Sequence, residues 1–391
     1  MQSQRAKTID LVTPDMLVQR ARDMVPTLKA RIPQAEADRN LPADTIAEMK
    51  AAGFFRILQP KQYGGYEMDP EVFYDVCMTL AEGCMSTAWV YGVVGVHNWQ
   101  MALFDPKAAE DVWGDNDGSV LIASTYMPKG QVTPVEGGFK FSGRWGFSSG
   151  IAHCDWVLLG GLIFTEGQPP EYRTFLLPKS DFEVVDTWHT MGLKGTGSGD
   201  LAVENVRVPK ARSVSLVVDK PYVDGALYKF PAFGLLSLGV AATAMGNTKG
   251  ALQAFTDLAS VKKNQGSRKT LGERAPIQLE MARMTAAFRA ARAYLHDEIE
   301  QTWDVAQAEG EIPVERRAAL RMACTHMVRT GADICRTCYD LGGGAALFQA
   351  SDLQRRFRDA HAMTQHIVTA PATWELTGRL LFGVPTDASM I

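Results

Sequence analysis

The chain changes its hydrophobic period twice. Up to about residue 118, and again from about residue 213, apolar residues recur at intervals of three and four. From Ser119 to Pro209 they fall instead in short β-branched or aromatic runs cut by Gly and Pro. A period of 3.6 marks helices that bury one stripe, and a period of 2 marks strands that bury one face. The expected fold is therefore α+β and multidomain: a helical domain over 1–118, a central antiparallel β barrel or sandwich over 119–212, and a four-helix bundle over 213–391.

Local signals refine these blocks. One helix is expected over LVQRARDMVPTLKARI, a second opening at Pro42-Ala43-Asp44 and running through FFRIL, and a third opening at Asp69-Pro70 and running through Trp99. Beyond Phe230 the apolar patterns lengthen, from LLSLGVAATAMG to a last helix running through His366 to Leu381. Helices this apolar bury their faces against one another.

Net charge is −4 and no run of like charges occurs, so neither nucleic acid nor an anionic membrane surface is an expected partner. No window approaches the ~20 apolar residues of a membrane span, and the N-terminal stretch lacks a basic segment followed by an apolar one. A cytoplasmic location is expected. The six cysteines are too few for a disulfide scaffold. Cys335 and Cys338 form a CxxC pair near Cys324 and His326. The segment is helical in pattern and lacks a second ligand pair, so buried thiols are expected and no metal.

Chemistry concentrates in GRWGFSSGIAHCDW, residues 143–156, where Trp145 and Phe147 precede the adjacent hydroxyls Ser148 and Ser149 and a sharp Gly150. An aromatic wall beside a hydroxyl suits a flat ring whose edge nitrogen needs a hydrogen-bond partner. His97 lies in the apolar run VVGVHNWQMALF, where a polar side chain is costly unless hydrogen-bonded; a core histidine tied to a carbonyl and a functional one both satisfy that. Ser124 and Thr125 stand at a strand end, and Lys194, Thr196 and Ser198 form a polar loop. No GxGxxG opens a strand–turn–helix unit, so no nicotinamide-binding half is expected.

Several motifs occur in a telling order: Pro60-Lys61-Gln62-Tyr63-Gly64-Gly65, Val96-His97-Asn98-Trp99, Gly192-Leu193-Lys194-Gly195-Thr196 before Val206-Arg207-Val208-Pro209, Arg268-Lys269-Thr270-Leu271-Gly272, and Leu341-Gly342-Gly343-Gly344 followed by Arg358-Asp359. Together they resemble the acyl-CoA dehydrogenase superfamily over essentially the whole chain, and within it the two-component, reduced-flavin-dependent aromatic monooxygenases. Groups acting on 3-hydroxy-seco-steroids and on 4-hydroxyphenylacetate look most alike. The resemblance implies the acyl-CoA dehydrogenase fold, a homotetramer, FADH2 or FMNH2 from a separate NAD(P)H-flavin reductase, O2 as co-substrate, and ortho-hydroxylation of a phenol through a flavin C4a-hydroperoxide. It implies that Ser149, with Ser148 as alternative, bonds flavin N5, that Trp145 and Phe147 wall the ring, and that Ser124, Thr125, Lys194 and Thr196 approach cofactor or substrate. It further implies that Arg268 reaches a flavin phosphate across a subunit interface, that His97 accepts the phenol proton, and that His366 donates one as the O–O bond breaks.

Two other reactions use this fold. An acyl-CoA dehydrogenase needs a carboxylate to remove the proton α to the thioester, but the run from His361 to Val368 and the stretch from Phe233 to Gly246 contain no acid. Oxygenation of sulfur or nitrogen by a relative of the same fold is the other alternative.

Overall fold

The computed structural model describes residues 12–114, 119–308, 311–389 and 391. Helix α1 (Pro14–Asp38) opens on Thr13, whose hydroxyl accepts from the Met16 amide. Helix α2 (Ala43–Ala51) stops earlier than its sequence pattern suggests, because Gly53 turns left-handed at φ 83° and sends Phe54 and Phe55 into the core. The long third helix is divided into α3 (Pro70–Gly83), α4 (Met85–Gly95) and α5 (His97–Gln100), with α6 (Pro106–Trp113) following. Cys84 is the break: it is extended at φ −146°, where α3 closes against α1. A Cβ on Gly83 would stand 3.1 Å from both the Val25 carbonyl and Leu28. Val96, between α4 and α5, keeps helical dihedrals, so His97 continues the direction of α4.

The central strands are β1 (Ile122–Val135), β2 (Gly138–Trp145), β3 (Trp156–Ile163), β4 (Glu171–Pro178), β5 (Glu183–Val185), β6 (Asp200–Pro209) and β7 (Ser213–Val214). They form one sheet in the order β5-β6-β2-β1-β3-β4-β7. One pairing departs from the antiparallel expectation: β1 and β3 run parallel, with Ile122 opposite Trp156. Strand β2 runs back toward the start of β1, so residues 146–155 need only cross the end of β1 to begin β3 beside it. The sheet is strongly curved. Phe141 of β2 and Phe175 of β4 have ring centroids 4.6 Å apart, although two strands separate them and a flat sheet would hold them ~14 Å apart. Gly161 makes room, since a Cβ there would meet Phe141 at 2.9 Å.

The C-terminal part holds the short α7 (Ala226–Lys229), then α8 (Ala232–Val261), α9 (Ala275–Gln307), α10 (Val314–Gly342), α11 (Asp352–Met363) and α12 (Pro371–Leu381). No charged residue occurs in α8 before Lys249; the helix is buried against α3, α4, α10 and α11. The single last helix of the sequence pattern is two. Between them His366 begins one 3-10 turn, and Pro371 starts α12 where its missing N–H costs nothing.

All six cysteines are buried and unpaired, and burial pushes the Cys324 and Cys335 thiols up to about 12, which makes them inert. Among the described residues no helix is long and apolar enough to cross a membrane.

Candidate active site

The crossing loop after β2 is pinned from two sides. Its Ser148 and Gly150 amides donate to the Gly199 and Thr196 carbonyls at 3.1 and 2.8 Å. Gly150 is left-handed at φ 70°, and a Cβ there would collide with Val90 of α4 at 2.7 Å, so only glycine lets the loop lie against that helix. The Ser149 hydroxyl accepts from Trp89 Nε1 of α4 at 3.0 Å and meets Ser198 Oγ at 2.7 Å. Ser198 Oγ in turn lies 2.6 Å from Thr196 Oγ1, and Thr196 donates to the Leu193 carbonyl at 2.9 Å. Ser148 is turned the other way: its hydroxyl is fully buried and finds no partner among the described residues.

The loop carrying Thr196 and Ser198 is held by α11. Buried Asp359 accepts the Leu193 amide at 2.7 Å, with burial raising its carboxyl above the usual range. Arg358 donates to the Met191 carbonyl and to Glu36. A Cβ on Gly192 would overlap the Arg358 carbonyl at 2.3 Å. The Arg-Asp pair read from sequence thus positions the hydroxyl loop, while Lys194 sits half-buried at the start of its 3-10 turn.

His366 packs edge-on to Trp89, with ring centroids 5.4 Å apart. Its Nδ1 accepts the Val368 amide at 3.3 Å. Burial first, and the Arg321 charge second, push it down to about 4, so the ring is neutral and carries its proton on Nε2.

His97 follows Trp89 by eight residues, about 12 Å along the helix axis. It is 1% exposed, and burial lowers it to about 3. Its Nδ1 lies 3.1 Å from the hydroxyl of Tyr126 on β1, and that hydroxyl donates to Gln100 Oε1 at 2.5 Å. A phenol has one proton, and Gln100 takes it. Toward His97 the Tyr126 oxygen therefore accepts, which places the imidazole proton on Nδ1 and leaves a bare lone pair on Nε2. That Nε2 is buried and has no partner among the described residues.

The remaining candidates divide. Ser124 shares the Tyr126 face of β1 and so lies on the side of the His97 cluster, whereas Thr125 points to the opposite face and is buried. Phe147 is 70% exposed at φ 66° and stands edge-on to Trp188 at 6.2 Å. Trp145 is placed differently from Phe147. It is 0% exposed, with Nε1 donating to the Met127 and Gly160 carbonyls at 3.1 and 2.9 Å, and it fills the concave side of the sheet. Arg268 is exposed on the loop between α8 and α9. Sequence reasoning missed Trp89, Gln100 and Tyr126. Only Gln100 left a local trace, three residues after His97 on the same helical face.

Comparison with known proteins is consistent with this geometry. The model of the acyl-CoA dehydrogenase N-terminal domain matches residues 13–105, and that of the acyl-CoA dehydrogenase C-terminal domain matches residues 238–371. The chain is 33% identical over 389 residues to the flavin-dependent monooxygenase oxygenase subunit HsaA of Rhodococcus jostii (strain RHA1), spanning 96% of this chain and 100% of the relative. It is 28% identical to the oxygenase component of p-hydroxyphenylacetate 3-hydroxylase from Acinetobacter baumannii, over 97% and 93% of the two chains. The crystal structure of 3-HSA hydroxylase from Rhodococcus sp. RHA1 matches with a TM-score of 0.92 at 32% identity, covering 97% of this chain and 100% of that one.

Proposed function

The chain belongs to the oxygenase components of flavin-dependent monooxygenases, within the acyl-CoA dehydrogenase superfamily, and from that premise we propose that it ortho-hydroxylates a phenol. A separate NAD(P)H-flavin reductase supplies FADH2 or FMNH2, and O2 is the co-substrate. Bound reduced flavin reacts with O2 and contributes an electrophilic oxygen atom. The residues present fit such a cofactor: Ser149 keeps a lone pair for the flavin N5–H, Phe147 offers an exposed ring, and Thr196 and Lys194 line the adjoining loop.

The observation that carries the substrate class is the lone pair of His97 Nε2, buried beside an apolar helix end and unpartnered. A phenol O–H matches it. With the imidazole lowered to about 3 and a phenol near ~10, proton transfer in the ground state is strongly uphill, so Nε2 first accepts a hydrogen bond. The phenol O–H becomes strongly acidic only as the ortho carbon bonds oxygen, and a weak base then suffices. Burial is what makes the imidazole so weak a base. His366 holds a proton on Nε2 beside Trp89 and is the donor to the departing oxygen.

The proposal extends to a cytoplasmic homotetramer with domains at 1–118, 119–212 and 213–391. An open apolar cleft between α8 and α9, lined by Phe255, Ala259, Ile277 and Met281 and bordered by Gly272 of the Arg268 loop, supports subunit packing there. Arg268 then has a route to a neighbour's flavin phosphate.

The test supplies the protein with anaerobically reduced flavin, oxygen and a panel of phenols, sulfides and amines. A catechol from at least one phenol, with the other classes unreacted, is expected. Reduction of bound oxidised flavin by an acyl-CoA, or oxygenation of sulfides alone, overturns the reading.

A further inference from the structure

Three oxygen–oxygen contacts run in series from Ser149: Ser149 to Ser198 at 2.7 Å, Ser198 to Thr196 at 2.6 Å, and Thr196 to the Leu193 carbonyl at 2.9 Å. Oxygens this close repel unless a proton lies between them. Three contacts need three protons, and the three hydroxyls supply that number. The Leu193 carbonyl has none to give. Only one arrangement bridges every contact: Thr196 donates to Leu193, Ser198 to Thr196, and Ser149 to Ser198. Trp89 Nε1 adds a donor to Ser149. Ser149 is the most exposed of the three residues at 8%, and its oxygen is left with one lone pair and no proton for a further partner.

Reduced flavin carries a proton on N5 and oxidised flavin carries a lone pair there. We propose that the Ser149–Ser198–Thr196 relay makes the flavin site selective for the reduced cofactor, because Ser198 and Thr196 hold the Ser149 proton away from N5. The inference rests on the assignment of Ser149 to N5 under the proposed function. A reduced flavin donates N5–H to the free lone pair. An oxidised flavin sets lone pair against lone pair, and reversing the relay to supply a proton would leave the Thr196 hydroxyl oxygen against the Leu193 carbonyl with no proton between them, while that carbonyl keeps its Trp188 Nε1 and Thr196 amide donors. The spent cofactor thus loses its partner once turnover has oxidised it, and the polarity of the relay favours its release. Ser198 and Thr196 are positioning residues that act through Ser149.

Dissociation constants of FAD and FMN, each oxidised in air and reduced under nitrogen, test this in four proteins: wild type, Ser198→Ala, Thr196→Val and Ser149→Ala. Wild type is expected to prefer reduced flavin by at least about tenfold, the worth of one hydrogen bond made against one refused. Ser198→Ala frees the Ser149 proton to turn toward N5, and the preference shrinks by about tenfold, chiefly through tighter binding of oxidised flavin. Thr196→Val, which keeps the side-chain shape, moves it in the same direction, and unchanged melting of either variant excludes a folding defect. If Ser149→Ala weakens reduced flavin but neither relay variant alters the preference, the relay is refuted while the N5 assignment stands. If Ser149→Ala alters neither affinity, the N5 assignment fails and this inference with it.

Discussion

The two polar clusters along α4 and α5 differ in how far their hydrogen bonds close. Around Trp89, the hydroxyls of Ser149, Ser198 and Thr196 spend every proton on one another or on the Leu193 carbonyl. Around His97, three buried polar atoms, His97 Nε2, Asn98 Oδ1 and Gln100 Nε2, find no partner among the described residues. A buried orphan costs about 1–3 kcal/mol, so a chain that keeps several in one place maintains them against stability. The closed cluster fixes the direction of its hydroxyls. The open cluster instead fixes a tautomer through Tyr126 and Gln100 and presents the opposite nitrogen to a ligand. The contrast separates two tasks, holding a cofactor edge and receiving a proton, on one continuous helical wall.

Acid distinguishes the clusters most strongly. His97 is lowered to about 3 in the folded chain against an unfolded value near ~6.5, so below pH ~6.5 the unfolded state binds a proton that the folded state refuses. The stability it contributes is complete above that pH and is lost progressively as pH falls toward 3. His366, lowered to about 4, acts with the same sign over a shorter window. The three hydroxyls do not titrate in this range. Between pH 7 and pH 5, His97 alone accounts for about 2 kcal/mol of lost stability. His97→Gln should remove that share, measured as a shallower fall of the urea-unfolding free energy with pH. An unchanged slope would mean that His97 is not held neutral by burial.

A smaller effect sharpens the open cluster. Tyr126→Phe removes both the acceptor for His97 Nδ1–H and the donor to Gln100. The imidazole is then free to carry its proton on Nε2, where it repels the phenol O–H. Hydroxylation should slow about tenfold, or ~1.4 kcal/mol, with reduced-flavin affinity unchanged. Equal losses in both quantities would mark Tyr126 as a packing residue of the whole site.

The division into helices, strands and bundle was legible because it rests on the hydrophobic period, a local property. Four features were not. The break at Cys84 follows from the close seat of Gly83 on α1, and the parallel pairing of β1 with β3 follows from where β2 ends; both depend on residues distant in sequence. Trp145 and Phe147 read alike in the sequence, two apart at a strand end. In a continuing strand they would share a face, but the positive φ of Phe147 turns it outward while Trp145 stays in the sheet core. Tyr126 escaped notice for the same reason as the parallel strand: its partners His97 and Gln100 lie on the helical wall, and nothing in the run Ser124-Thr125-Tyr126 points to them.

The central claim is that His97 takes the phenol proton and has no part in holding the flavin, whose N5 edge the Ser149 cluster meets. His97→Ala, loaded with reduced flavin under nitrogen and mixed in one turnover with oxygen and a phenol that the wild type hydroxylates, tests it most directly. The account predicts flavin binding and reaction with oxygen at wild-type rates, product formed roughly 10²-fold more slowly, and hydrogen peroxide released in its place. Product formation at the wild-type rate would contradict it and leave His97 a core histidine.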